Sequence, residues 1–181
     1  MQISVQAVQR CGVNIHAKTI EILNKQTTWL PTLFLRVILA WEFTESGLEK
    51  LHGSNWFADV AFPFPFNVLP PDFSWKLSII FEIAGGIALL LGFATRFFTI
   101  SLMILTVVAI YAVHWPEHWN GLSELFNGYR IVDTDGDGFG NYKLPLIYLV
   151  MFLPLLFGGA GKLSVDHLIS RFFKNNYATN H

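Results

Sequence analysis

The sequence predicts an all-α fold, an integral membrane four-helix bundle, on three observations. Four apolar runs, roughly Trp29–Leu48, Trp75–Thr95, Phe97–Trp115 and Leu144–Gly161, each come close to the ~20 residues a bilayer-spanning helix needs. Of 181 residues, 52% are hydrophobic and 14% charged, with a mean hydropathy of +0.43, which is too apolar for an ordinary soluble domain. Seventeen Phe and six Trp are present, many near the ends of the runs, where aromatic rings settle at the lipid–water interface.

Composition also excludes some functions. A formal net charge of -1 gives no polyanion-binding surface, so nucleic acid is not an expected partner. The single cysteine, Cys11, permits neither an intramolecular disulfide nor a Cys-based metal cage.

Taken in order, residues 1–28 form a tail with Arg10, Lys18, Glu21 and Lys25. They lack the apolar core of about 7–15 residues that a cleavable signal requires. Val5, Val8, Ile15 and Ile22 recur at near-helical spacing, so an amphipathic surface helix is one expectation and a loose tail the other. Residues 29–166 hold the four runs as one domain, and residues 167–181 form a C-terminal tail. Lys and Arg concentrate in the N-terminal tail, in the link at Arg96, and in the C-terminal tail at Lys162, Arg171 and Lys174. By the positive-inside rule both termini face the cytoplasm of an inner membrane, and the loops Leu51–Ser74 and Pro116–Lys143 face outward.

Ionisable residues interrupt the runs. Arg36, Glu42, Glu45, Glu82 and His114 lie inside them, and a charge in lipid costs enough that it turns to a bundle interior or a wet cavity. Glu42, Glu45, Glu49 and His52, spaced three, four and three apart, fall within a helical face roughly 80° wide. Glu82 lies about 10 Å below the outer surface on the second helix, and His114 ends the third. Acids crowded into a low-dielectric space do not all ionise, which makes Glu82, Arg36, Glu42, Glu45 and His114 a candidate catalytic cluster for proton exchange with a ligand. Glu82 has no cation beside it in sequence and must be protonated, paired across helices or in contact with a ligand.

Other motifs have both structural and functional readings. Gly85 and Gly86 beside Glu82 either allow close helix approach or make room for a flat ring such as a quinone. His114 and His118 have the i, i+4 spacing of metal ligands, with His52 nearby, but Pro116 between them favours a helix end. Asp133, Asp135 and Asp137, with Gly138 at position six and Asn141 at position nine, read as the front of a calcium loop. Leu144 stands where the bidentate Glu belongs, so a site completed elsewhere and a plain Asx-rich turn both remain open.

The segments Arg36-Val37-Ile38-Leu39-Ala40, Gly47-Leu48-Glu49-Lys50-Leu51, Phe81–Gly86 through Gly92–Arg96, and Gly158–Asp166 resemble the DoxX family over about residues 30–170. The insertion Asp133–Lys143 and the aromatic loop Phe62–Phe66 resemble its HvfX branch. The resemblance implies a small four-helix bacterial inner-membrane protein with quinone-linked redox chemistry. It also implies an association with enzymes that mature a copper-binding ribosomal peptide from a Cys-containing precursor by iron-dependent oxidation. An accessory redox or docking component of that machinery is the first expectation. A quinone-interacting oxidoreductase subunit in its own right is the second, with Glu82 and Arg36 holding the head group. A small-solute or metal transport protein is the third, and homo-oligomers are compatible with all three. Copper transport fits poorly, because soft ligands are scarce: the methionines are Met1, Met103 and Met151.

Overall fold

Prolines open the two longest helices, where their fixed φ and missing N–H cost nothing. In the computed structural model, which describes residues 16–27, 29–115, 121–123 and 141–178, these residues form helices and links with no strand. Helix α1 covers residues 16–27. It is followed by α2 (Leu30–His52), with Pro31 in its first turn, and α3 (Pro71–Leu91), with Pro71 at its first position. Next come α4 (Thr95–Ala109), extended by one π turn over Ile110–His114, then α5 (Lys143–Gly158) and α6 (Val165–Ala178). The π turn stops at Trp115, which is extended (φ -74, ψ 133), the conformation forced on a residue that precedes proline.

Helix α2 packs against α3 and α5, and α4 packs against the same two. Small residues set the α2–α3 approach. A Cβ on Gly47 would lie 2.7 Å from Ile83 Cγ1 and 3.1 Å from Glu82 Cβ, and one on Gly86 would collide with Thr44 Oγ1 and sit 2.9 Å from the Ala40 carbonyl. Gly85 faces the other way, against Leu102 of α4. The central core is Leu39, Phe43, Leu89, Leu102, Phe152 and Leu155. The outer faces are apolar as well: Phe34, Trp41, Ile80, Ile104, Val150 and Phe157 are exposed, far more apolar surface than a water-soluble monomer shows. Two helices, Pro71–Leu91 and Thr95–His114, are long and apolar enough to cross a membrane. Helix α5 is shorter than its run suggests, because Gly159 (φ 74) ends it. Helix α6 starts at Val165, two residues before the expected start of the C-terminal tail.

One end of the molecule is tied by backbone-directed side chains. Gly92 (φ 68) closes α3 with Phe93 N–H donating to Ala88 O (2.9 Å) and Gly92 N–H to Leu89 O (3.1 Å), a left-handed cap only glycine adopts without strain. The Arg36 guanidinium, 2% exposed, donates to the carbonyls of Leu89 (2.7 Å), Leu90 (2.6 Å), Ala160 (2.8 Å) and Leu163 (2.7 Å). Arg96 donates to Leu156 and Phe157 at the end of α5 (both 3.2 Å). Asp166 accepts from the N–H groups of Ala94 (2.7 Å) and Thr95 (2.9 Å) at the start of α4. Cations thus sit on helix C-termini and an anion on an N-terminus, the favourable sense for the helix dipole.

Candidate functional site

The other end holds a cavity of about 680 Å³, lined by α2, α3, α4, α5 and the loop after α2. One stripe of α2 contributes part of its polar floor. Arg36, Leu39, Ala40, Phe43 and Gly47 form the buried face of that helix, and steps of three and four carry the face on to Ser46 and Lys50. Lys50 Nζ donates to Glu82 (2.9 Å) and to Ser46 Oγ (2.7 Å). Glu82 is 7% exposed and reaches this partner because Gly47, one turn before Lys50, lets α3 come close. Beside the ion pair, the Tyr148 hydroxyl of α5 donates to Glu42. Thr106 of α4 and His114 of the π turn also line the cavity. The Ser74 hydroxyl, on the same wall, has no hydrogen-bond partner among the described residues.

The roof is aromatic. Trp56, Phe57, Phe62 and Phe66 line the cavity here; Phe57 meets Phe62 at 4.8 Å, and behind them Trp75 packs edge to face on Phe57 at 5.0 Å and on Trp56 at 5.9 Å. Phe57, Trp75 and Ile79 are buried as a second core. Asn55 ties the loop to α3 through Asp72 (2.6 Å) and to the Phe57 N–H (3.0 Å). Of the Phe62–Phe66 segment, Phe62 and Phe66 line the cavity and Phe64 points outward, 81% exposed. An ion pair and a phenol–carboxylate pair under a ring-lined roof suit a ligand with a flat apolar body and polar oxygens.

Of the residues that sequence reasoning grouped, the structure brings Glu42, Glu82 and His114 to one cavity. Glu45, Glu49 and His52 are exposed and line a separate outer groove with Ile87 and Leu90 of α3; His52 Nδ1 meets the Leu48 carbonyl of its own helix (2.8 Å). Grouping residues by charge picked out the acidic face of α2, whereas the buried stripe lies next to it, and of that acidic face only Glu42 reaches the cavity. Arg36 does not join Glu82. Its guanidinium is committed to four carbonyls, and from Glu82 to Leu89 is roughly 10 Å along α3. Gly85 and Gly86 face α4 and α2. Asp133, Asp135, Asp137 and His118 lie outside the described residues. Asn141 is described and half-buried, and among the described residues no group of three His, Cys, Asp or Glu could hold a metal.

Sequence reasoning did not group Lys50, which stands in the last turn of α2, or Tyr148 with the acids. The signal for Lys50 was the continuation of the Arg36–Gly47 stripe. Tyr148 carries a polar atom in the middle of an otherwise apolar run, Leu144–Gly158.

An apolar exterior, two helices able to cross a bilayer and an enclosed polar floor define a helical membrane protein with an internal site. The DoxX family model matches residues 32–115, and the chain belongs to the DoxX family. An uncharacterized protein of Haemophilus influenzae is 45% identical over 143 residues, covering 78% of this chain and 84% of its own length. A second uncharacterized protein of the same organism is 28% identical over 144 residues, covering 78% and 90%. No solved structure matches significantly.

Proposed function

We propose that helices α2 to α5 form an integral four-helix bundle of the bacterial inner membrane. Both termini are cytoplasmic, and the cavity opens toward the outer face and binds the ring of a quinone-class molecule. The observation that carries this reading is the pairing of a 680 Å³ ring-lined cavity with a floor of Lys50–Glu82 and Tyr148–Glu42. A quinone supplies, when bound, a flat apolar body and two oxygens that take up and release protons and electrons. Lys50 and Ser74 are the residues that would hold those oxygens. The ammonium has a third N–H beyond its two bonds, and the Ser74 hydroxyl is buried and unsatisfied among the described residues. Glu42 and Glu82 hold or accept a proton at that floor, each beside a donor that steadies its charge. Arg36 is outside this reading and serves to join helices.

The biological setting follows the resemblance to the HvfX branch: an accessory redox or docking component in maturation of a copper-binding ribosomal peptide. Its support is the aromatic Phe62–Phe66 loop, two of whose rings line the cavity, together with the Asp133–Lys143 insertion. Two experiments test the two levels. Reconstituted protein titrated with a short-chain quinone should show saturable quenching of tryptophan fluorescence, Trp56 lying in the cavity wall, with binding weakened at least about tenfold by Lys50→Met, the loss of one charge-assisted hydrogen bond. Unsaturable quenching in the unmodified protein overturns the ligand. In cells, Glu82→Gln should remain in the membrane yet abolish peptide maturation, and a fully active Gln variant overturns the proton-handling role.

A further inference from the structure

Helix α6 is anchored at its start. The Asp166 N–H donates to the Gly92 carbonyl (2.9 Å), its carboxylate holds the start of α4, and Ser164 Oγ accepts from the His167 N–H (3.1 Å). Beyond that first turn, every residue from Leu168 to Asn175 is exposed. The exposure is sided. At 3.6 residues per turn, Val165, Leu168, Ile169, Phe172 and Phe173 share an arc of roughly 140°, and Asp166, His167, Ser170, Arg171 and Lys174 occupy the opposite side. Leu168 is 64% exposed, Phe172 66% and Phe173 57%, so a contiguous apolar strip faces outward, with Arg171 beside its edge and Lys174 on the polar side.

Position supplies the occupant. The helix leaves from the level where α3 and α5 end and α4 begins, and there Phe93, Phe97 and Phe157 are exposed on the outer faces. Aromatic rings at the ends of membrane-crossing helices mark the depth of the interface. Arg96 and Lys162 belong to the same end. An apolar arc with Lys and Arg on the polar side, fixed at interface depth, matches a helix lying in the headgroup region of an anionic bilayer.

We propose that α6 lays its Leu168–Ile169–Phe172–Phe173 face into the bilayer surface and binds anionic phospholipid headgroups through Arg171 and Lys174. This goes beyond the cavity reading and holds whichever side of the membrane that end faces.

The test uses the full chain with Cys11→Ser, since Cys11 is the sole cysteine, and a single nitroxide-labelled cysteine at position 168, 170, 172 or 174. Protein in phosphatidylcholine vesicles, with and without phosphatidylglycerol, is probed by oxygen and by a water-soluble nickel chelate. Labels at 168 and 172 should be open to oxygen and shielded from nickel, with the reverse at 170 and 174. In phosphatidylglycerol vesicles, Arg171→Gln and Lys174→Gln should each lower the docked-to-undocked ratio about fivefold, read at 168 and 172. Equal nickel access at all four positions overturns the proposal. So does shielding that vanishes when the protein is diluted in lipid, which would assign the face to a second copy. Shielding indifferent to phosphatidylglycerol and to both substitutions removes the headgroup recognition.

Discussion

Lys50 and Glu82 each depend on the other. Two charges withdrawn from water are tolerable when paired, and removal of one strands its partner. Lys50→Met alone is expected to destabilise the protein by about 3–5 kcal/mol, whereas Lys50→Met combined with Glu82→Leu should recover most of that loss. Thermal unfolding followed by size-exclusion of detergent-solubilised protein measures both, and additive losses would show that the pair is not coupled. Arg36 presents a harsher case, because four carbonyls converge on it. Arg36→Lys keeps the charge but replaces the fork with a point donor, so it should fail nearly as badly as Arg36→Gln. A Lys variant as stable as the native protein would mean charge alone suffices. At this scale the acids were legible in the sequence, since a carboxylate in an apolar run stands out. Their partners were not, because a lysine at a helix end reads as solvated until the facing helix is known.

The helices themselves were legible from apolar length and from proline and glycine punctuation. Their sidedness was less so, because helices apolar on both faces leave periodicity little contrast. What the pattern could not reveal is which glycine meets which neighbour. Gly86→Ala should push α2 from α3 and cost about 1–3 kcal/mol, since its Cβ has Thr44 and backbone against it. Gly158→Ala, with nothing within 4 Å of the added atom, should be silent. Gly92→Ala should be worse than either, because it meets Ser164 Cβ at 2.5 Å and the Arg36 guanidinium at 2.8 Å and also forces a left-handed φ on alanine. The same thermal measurement ranks all three, and an inverted order would discredit the packing account.

For the molecule as a whole, the resemblance segments Arg36–Ala40, Gly92–Arg96 and Gly158–Asp166 are far apart in sequence and meet at one tied end, opposite the cavity. Three of the family-like segments thus build architecture, whereas two others, Gly47–Leu51 and Phe81–Gly86, bring Lys50 and Glu82 to the cavity, and Tyr148 lies outside all of them. The proposed orientation rests on Lys and Arg placement. Alkaline phosphatase fused after Asn127 should be active in cells and the same enzyme fused after His181 inactive; the reverse pattern would invert the topology and turn the cavity toward the cytoplasm.

The Arg36 clamp also imposes an order in time. Arg36 is synthesised early, when none of the carbonyls that receive it has yet been made. Two arrive with the end of α3, and the other two only with Ala160 and Leu163. Until then a guanidinium sits among apolar helices with its hydrogen bonds half answered, a state that lipid penalises. Assembly is therefore expected to finish with the link that follows α5 rather than with α5 itself. A nascent chain released at Gly158 should be cleared quickly by membrane proteases in a pulse–chase experiment, and one released at Asn175 should persist. Equal lifetimes would mean that the early chain finds other acceptors for its arginine.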